Sequence, residues 1–256
     1  MANYYFLAPS LPPLALGEKP ELSFEELNIL LAANVVGKDL EKVVVLRRWI
    51  DLNNIRALYM ESGIDPRGNL SEKELDQALL LEEVLPEYVF DFLDQFETPQ
   101  ERVRFFPGLL GAYFREEVAG QSGFLKNYLI FERGWRLTLL AIKAKGLGKD
   151  VAEELQFEDL KDPLVMDILA QKDAAVYTPL VEFEELSALF FACGNDPWEQ
   201  FMEVLKWRFK QIEELVEKPL FSIDWILSYM ARLLLVEEYY KLEPAQGKII
   251  LEALVE

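Results

Sequence analysis

The sequence predicts an all-α protein, and three observations carry that expectation. Helix-start signatures recur at short intervals, apolar residues fall on three- and four-residue steps, and alternating apolar–polar runs bounded by turn pairs are scarce. Seventeen Phe, ten Tyr and five Trp in 256 residues, 51% of them hydrophobic, supply the bulk for a buried core.

The starts can be read in chain order. Ser23-Phe24-Glu25-Glu26 and Ser71-Glu72-Lys73-Glu74 are capping boxes, in which hydroxyl and carboxylate each satisfy a free backbone N–H. Thr98-Pro99-Gln100-Glu101 adds a proline at the first helical position, where its missing N–H costs nothing. Asp196-Pro197-Trp198-Glu199 repeats that logic, and Asp162-Pro163 is a shorter version of it. Pro107-Gly108 is expected to kink or break a helix.

The clearest helix is expected from about Phe124 to Lys145. Phe124, Tyr128, Phe131, Trp135, Leu139 and Ile142 form one stripe at about 100° per residue, and Lys126, Arg133, Arg136 and Lys143 fall on a different side. Gly146 and Gly148 then end it. A second long helix is expected over about Ser222–Lys241, with Trp225, Tyr229, Leu233, Val236 and Tyr240 in register. Its Leu233-Leu234-Leu235-Val236 run makes it apolar on more than one face, so deep burial is expected. Arg47–Gly63 and Phe131–Gly148 share a loose pattern that either a degenerate repeat or ordinary helix grammar produces. The glycines within Ala144–Asp150 suggest an N-terminal helical region, 1–146, and a C-terminal one, 147–256, unless the whole is a single domain.

Charge and composition exclude much. A formal net charge of −19 disfavours nucleic acid, whose binding gains from counterion release at a basic surface, and disfavours adsorption to anionic lipid. No uncharged apolar run reaches about 18 residues, so no direct membrane insertion is expected. Residues 1–19 lack a basic n-region and are interrupted by Pro9, Pro12 and Pro13, so a secretory signal is rejected and a cytoplasmic location expected.

Familiar chemistry finds few residues to use. Without histidine there is no Ser/His/Asp or Cys/His activation, no imidazole zinc motif and no Glu-x-x-His di-iron pattern. Cys193, the single cysteine, follows Leu189-Phe190-Phe191-Ala192 with no basic neighbour, which favours a buried structural thiol over a nucleophile. Gly146-Leu147-Gly148-Lys149 follows a helix, so it reads as a C-cap and not as a phosphate loop. Asp65–Asp76 superficially suggests a calcium loop. Arg67 and Lys73 occupy would-be ligand positions, however, and the central glycine is displaced to Gly68, so a turn and a capped helix are expected. No catalytic residue, cofactor or metal is expected.

One stretch runs against the overall acidity. Lys126 to Lys149 holds six basic residues and one acidic one, Glu132. Lys126, Arg133, Arg136, Lys143 and Lys145 are the candidate partner-binding residues, on a surface that would dock an acidic helix. The alternative pairs them with acidic residues of the same chain, such as Glu153, Glu154, Glu158 and Asp159.

Three stretches carry a family resemblance: Met1-Ala2-Asn3-Tyr4-Tyr5-Phe6-Leu7-Ala8-Pro9-Ser10-Leu11-Pro12; Phe131-Glu132-Arg133-Gly134-Trp135-Arg136 continued by Ala141 to Asp150; and Trp225-Ile226-Leu227-Ser228-Tyr229 through Tyr240 and Gly247. Together they resemble a bacterial family of uncharacterised proteins encoded within V-type ATPase operons. That family is in turn similar to the C subunit (called d in eukaryotes) of the A/V-type rotary ATPases, an all-helical funnel. Asp51-Leu52-Asn53-Asn54-Ile55-Arg56 echoes an acidic-x-x-Asn helix of that funnel.

The resemblance implies a multi-helix bundle with helical-hairpin pseudo-repeats, one of the three reduced or lost in this shorter chain. It implies a non-catalytic structural subunit that couples the central rotor shaft to the membrane rotor ring in proton or sodium transport, or else a regulator or assembly factor of the same complex. The implied partners are those other V-type ATPase subunits, met through the basic face and the aromatic N-terminal arm. The implied location is cytoplasmic, peripheral to the inner membrane.

Overall fold

Hydroxyl and carboxylate caps fix the starts of six helices among the described residues. The computed structural model describes residues 4–217 and 220–242, and among these every regular element is helical. After the single turn α1 (Leu7–Ser10), α2 (Phe24–Asn34) opens on Ser23. The Ser23 Oγ accepts from the Glu26 N–H, and the Glu26 carboxylate accepts from the Ser23 N–H. Then come α3 (Lys38–Tyr59), α4 (Glu72–Leu81), α5 (Glu87–Leu93) and α6 (Pro99–Arg104). α4 and α6 carry the same reciprocal box, through Ser71 with Glu74 and Thr98 with Glu101. α7 (Phe106–Ala119), α8 (Phe124–Gly146), α9 (Val151–Glu154) and α10 (Pro163–Ala170) follow, the last capped by Asp162. A 3-10 turn (Val181–Phe183) leads into α11 (Glu184–Ala192), then α12 (Pro197–Glu214), capped by Asp196, and α13 (Ile223–Leu242).

The expected long helices are α8 and α13, each within a residue of its anticipated ends. Pro107 behaves differently from expectation. The break falls before it, at Phe105, and Pro107 sits in the first turn of α7, where its missing N–H leaves no helical bond unmade.

The chain packs as two compact units built from interleaved segments. One comprises the described parts of Met1–Val43, Ser122–Tyr128 and Ala188–Glu256, and the other Val44–Gln121 and Leu129–Ser187. This division is not the 1–146 and 147–256 suggested by the glycines. Gly148, at φ 67°, is the left-handed residue of a Schellman cap: the Lys149 N–H donates to the Ala144 carbonyl (2.8 Å) and the Gly148 N–H to that of Lys145 (3.1 Å). These glycines end a helix inside the second unit and mark no linker.

In the first unit α13 is the centre, with Ile226 to Leu233 buried without interruption, and α2 and α12 pack on it. Ser228 donates to the Ile212 carbonyl (3.2 Å), and Glu237 accepts the Phe24 N–H at the start of α2 (2.8 Å). Gly123, at φ 64°, lies so close to Asp224 that a Cβ would stand 2.6 Å from its Oδ2.

In the second unit α3 holds the 65–70 loop. Asn54 accepts the Asp65 N–H (2.8 Å) and donates to the Asp65 carbonyl (2.9 Å). Asp51 accepts from Asn69 Nδ2 (2.6 Å) and the Leu70 N–H (3.2 Å), while Arg47 donates to the carbonyls of Arg67 and Gly68. The Asp65–Asp76 segment is thus the expected turn and capped helix.

α8 is buried more widely than its stripe suggests, since Glu132, Gly134, Leu137 and Thr138 are buried as well. Gly134 seats the ring of Phe183, whose Cζ would be 2.5 Å from a Cβ. Gly134→Val is therefore expected to cost about 2–3 kcal/mol of stability by overpacking. Gly146→Ala, with nothing within 4 Å, is expected to cost nothing; urea unfolding checks both. Glu26, Glu74 and Glu101 are each held below the ordinary carboxylate range by bonds to their N-cap residues. Their stabilisation is full above the unfolded-state value of about 4.3 and is lost as pH falls through the lower folded values. The triple Glu→Gln variant should accordingly lose less stability between about pH 4.5 and pH 3 than the parent chain, as pH-dependent melting would show.

Candidate functional site

The candidate site is the basic side of α8, and the five residues expected there have different fates. Lys126, in the first unit, is exposed. In the second unit Arg133 forks between two acidic residues, with Nη2 at 2.7 Å from Glu158 and Nη1 at 2.8 Å from Asp162. Burial alone would lower the Arg133 pKa, but Glu158 and Asp162 hold it above its ordinary value.

Arg136 donates to Glu132 (3.0 Å), and its guanidinium lies 4.2 Å from the Trp49 ring centroid and 4.5 Å from that of Trp135. Glu132, 4% exposed, also accepts the Trp135 indole N–H (3.1 Å). Lys143 is exposed. Lys145 lies nearly opposite it around the helix and donates to the carbonyls of Gln171, Lys172 and Ala174. Arg133, Arg136 and Lys145 therefore tie α8 to its surroundings within the second unit, and Lys126 and Lys143 face solvent.

Beside Arg133 and Arg136 lies a pocket of about 220 Å3, walled by Pro107, Leu110, Phe114, Leu137, Leu140 and Phe157. Its polar edge carries the two arginines together with Glu154 and Glu158, two charges of each sign. Beneath the neighbouring surface, buried Glu117 accepts from Arg48 and from the Tyr88 hydroxyl (3.0 Å). Burial, reinforced by the Glu117 charge, raises the Tyr88 phenol above its ordinary pKa. A larger recess of about 520 Å3 lies along α5 and α7, with Phe157 in its wall. Neither Glu117 nor this recess was marked by a motif. The one signal available was that Glu117 falls three and four residues after Phe114 and Tyr113, on the apolar side of α7.

Of the aromatic N-terminal arm, Tyr4 is buried and donates to Asp39 (2.6 Å), Tyr5 meets the Phe221 ring at 4.7 Å, and Phe6 is 90% exposed. Residues 1–3 and Gly247, part of the family landmarks, lie outside the described residues. Cys193 is buried, with Sγ at 3.2 Å from the Leu189 carbonyl. Burial, with Glu199, Glu203 and Asp196 nearby, pushes its thiol pKa up. Among the described residues no group of three or more acidic or thiol side chains is arranged to hold a metal ion, and no helix is long and apolar enough to cross a membrane.

Removing the Arg133 guanidinium strands two acidic residues in a part-buried site. Arg133→Met is expected to cost about 2–3 kcal/mol, with a double-mutant cycle against Glu158→Gln showing coupling of about 1 kcal/mol. Lys126→Met should stay within about 0.5 kcal/mol of the parent.

An uncharacterised protein of Chlamydia trachomatis serovar D is 31% identical over 241 residues, covering 92% of this chain and 91% of its own length. Uncharacterised proteins of Chlamydia muridarum (29% identical, 97% of this chain and 96% of theirs) and Chlamydia pneumoniae (27%, 90% and 89%) are similar along nearly the same span. No solved structure matches the chain. The model of one family matches residues 1–256 throughout, and the chain belongs to that family, described as "Protein of unknown function (DUF2764)".

Proposed function

We propose that the chain is a non-catalytic structural subunit of a V-type ATPase or ATP synthase, coupling the central rotor shaft to the membrane rotor ring during proton or sodium transport. The observation that carries this reading is the cross-bracing of the second unit. A coupling element has to resist deformation under torque, which favours helices joined by directional polar contacts over helices joined by apolar packing alone. Asp51 and Asn54 clamp a loop to α3, Arg133 and Lys145 tie α8 to the segments around residues 158–162 and 171–174, and Arg136 lies over Trp49 of α3. The sequence landmarks resembling the operon family, and through it the rotary ATPase funnel, support the same reading.

On this proposal the partners are the shaft and ring subunits, and the location is cytoplasmic, against the inner membrane. Lys126 and Lys143, exposed on α8, are the contacts to test within the basic set, because reversing Arg133 or Arg136 would also disturb the fold. The deciding experiment is native mass spectrometry of the rotary ATPase purified from the organism that makes this chain. The 29.6 kDa chain is expected in the intact, active complex at fixed stoichiometry. Its presence only in incomplete subcomplexes would replace the reading with an assembly factor, and its absence from every form would end it.

A further inference from the structure

The acidity of the chain is concentrated next to the larger recess. From Glu74 to Glu101 nine residues are acidic and none is basic. Where α5, within this stretch, packs on α7, the surface falls into the groove of about 520 Å3. Its floor is aromatic, with Phe92, Phe96 and Phe157 beside the small Gly108 and Ala112. A stacked contact between Phe96 and Phe105 at 4.8 Å and a tilted one between Phe92 and Phe96 at 5.2 Å hold that floor. Its rim carries Glu87, Asp91 and Glu116. Arg115 pairs with Glu116 at 3.1 Å, whereas Glu87 and Asp91 are exposed and have no salt bridge among the described residues. Just before α5 the chain exposes Leu80 (83%), Leu81 (52%) and Val84 (76%).

Floor and rim select the same kind of guest. Aromatic faces carry negative potential, and so do the carboxylates above them, so an anion is repelled twice. A neutral apolar group would desolvate the rim without compensation. An arginine or lysine side chain matches both, its aliphatic stem along the rings and its cationic head among the carboxylates. The apolar residues three to seven positions before Glu87 add footing that a free small cation cannot use and an amphipathic helix can. We propose that the groove along α5 and α7 docks a basic amphipathic helix of a partner protein, anchored by a cationic side chain between Glu87 and Asp91. The proposal stands independently of the rotary ATPase reading, since it depends only on this surface.

The probe is a fluorescein-labelled amphipathic Leu/Arg peptide of about 18 residues, long enough for five helical turns. Its binding to the full chain is followed by anisotropy at about 0.15 M salt, where distant surface charges are screened. Glu87→Lys/Asp91→Lys is expected to weaken binding about tenfold or more, because it reverses the anchor site. Asp173→Lys/Glu182→Lys makes the same change of net charge at exposed positions elsewhere and should stay within about twofold. Leu80→Ser/Val84→Ser should weaken binding about three- to tenfold by removing apolar contact. Far-UV circular dichroism verifies the fold of each variant, and Glu87→Gln/Asp91→Asn replaces the lysine pair if that one unfolds. Equal losses in the two charge-reversed variants would reduce the binding to bulk electrostatics and overturn the proposal. So would no loss in the groove variant, or displacement by spermine together with an unaffected Leu80→Ser/Val84→Ser variant, which would mark a small-cation site instead.

Discussion

Asp51 is 1% exposed, and a carboxylate at that depth must be given donors or lose its charge. Burial pushes its pKa up, while Asn69, the Leu70 N–H and Arg47 pull in the other direction. That requirement sets the geometry around it: the 65–70 loop lies where its backbone and Asn69 can reach α3, and Gly68 is small because a Cβ there would stand 2.5 Å from Asp51 Oδ1. Glu117 and Glu132 impose the same condition elsewhere in the second unit, and Arg48, Tyr88, Trp135 and Arg136 meet it. Asp51 and Glu117 therefore specify partners on another segment and, with them, the relative placement of two segments, whereas Trp135 and Arg136 reach Glu132 from within α8 itself. Hydrophobic burial supplies most of the driving force but is tolerant of sliding; these contacts are not.

How much of this was legible depended on distance along the chain. Caps are local chemistry, so Ser23, Ser71, Thr98, Asp162 and Asp196 could be recognised from the four residues around them, and each opens a helix. The burial of α13 could be read because its apolar run exceeds one face. The break expected at Pro107 falls two residues earlier, at Phe105, because Pro-Gly reads as a break without saying on which side the helix lies. Lys145 belongs with the basic face by sequence proximity, although two residues of rotation from Lys143 carry it to carbonyls 26 to 29 positions away. The groove was illegible for the same reason. Its wall needs Phe92, Gly108 and Phe157 together, from three separated stretches.

The residues of α3 and α8 that the sequence singles out have a common character. Asp51 and Asn54 hold a loop, Gly134 seats Phe183, Arg133 bridges to Glu158 and Asp162, and Arg136 lies against two tryptophans. Landmarks of that kind report how helices are joined. They bear on shape and stiffness first, and on the identity of a partner only through shape. Contact surfaces are to be sought where side chains have no internal duty, as at Lys126, Glu87 and Asp91.

Cys193 has a practical consequence. Maleimides and iodoacetamides react with the thiolate, and a buried thiol whose pKa is raised by burial and by Glu199, Glu203 and Asp196 offers little of it at neutral pH. The native chain is thus expected to react slowly with such reagents. A cysteine introduced on an exposed helix would then take up most of a spin label or fluorophore, so motions, and with a pair of such cysteines distances, within each unit can be followed without first rebuilding the core around residue 193.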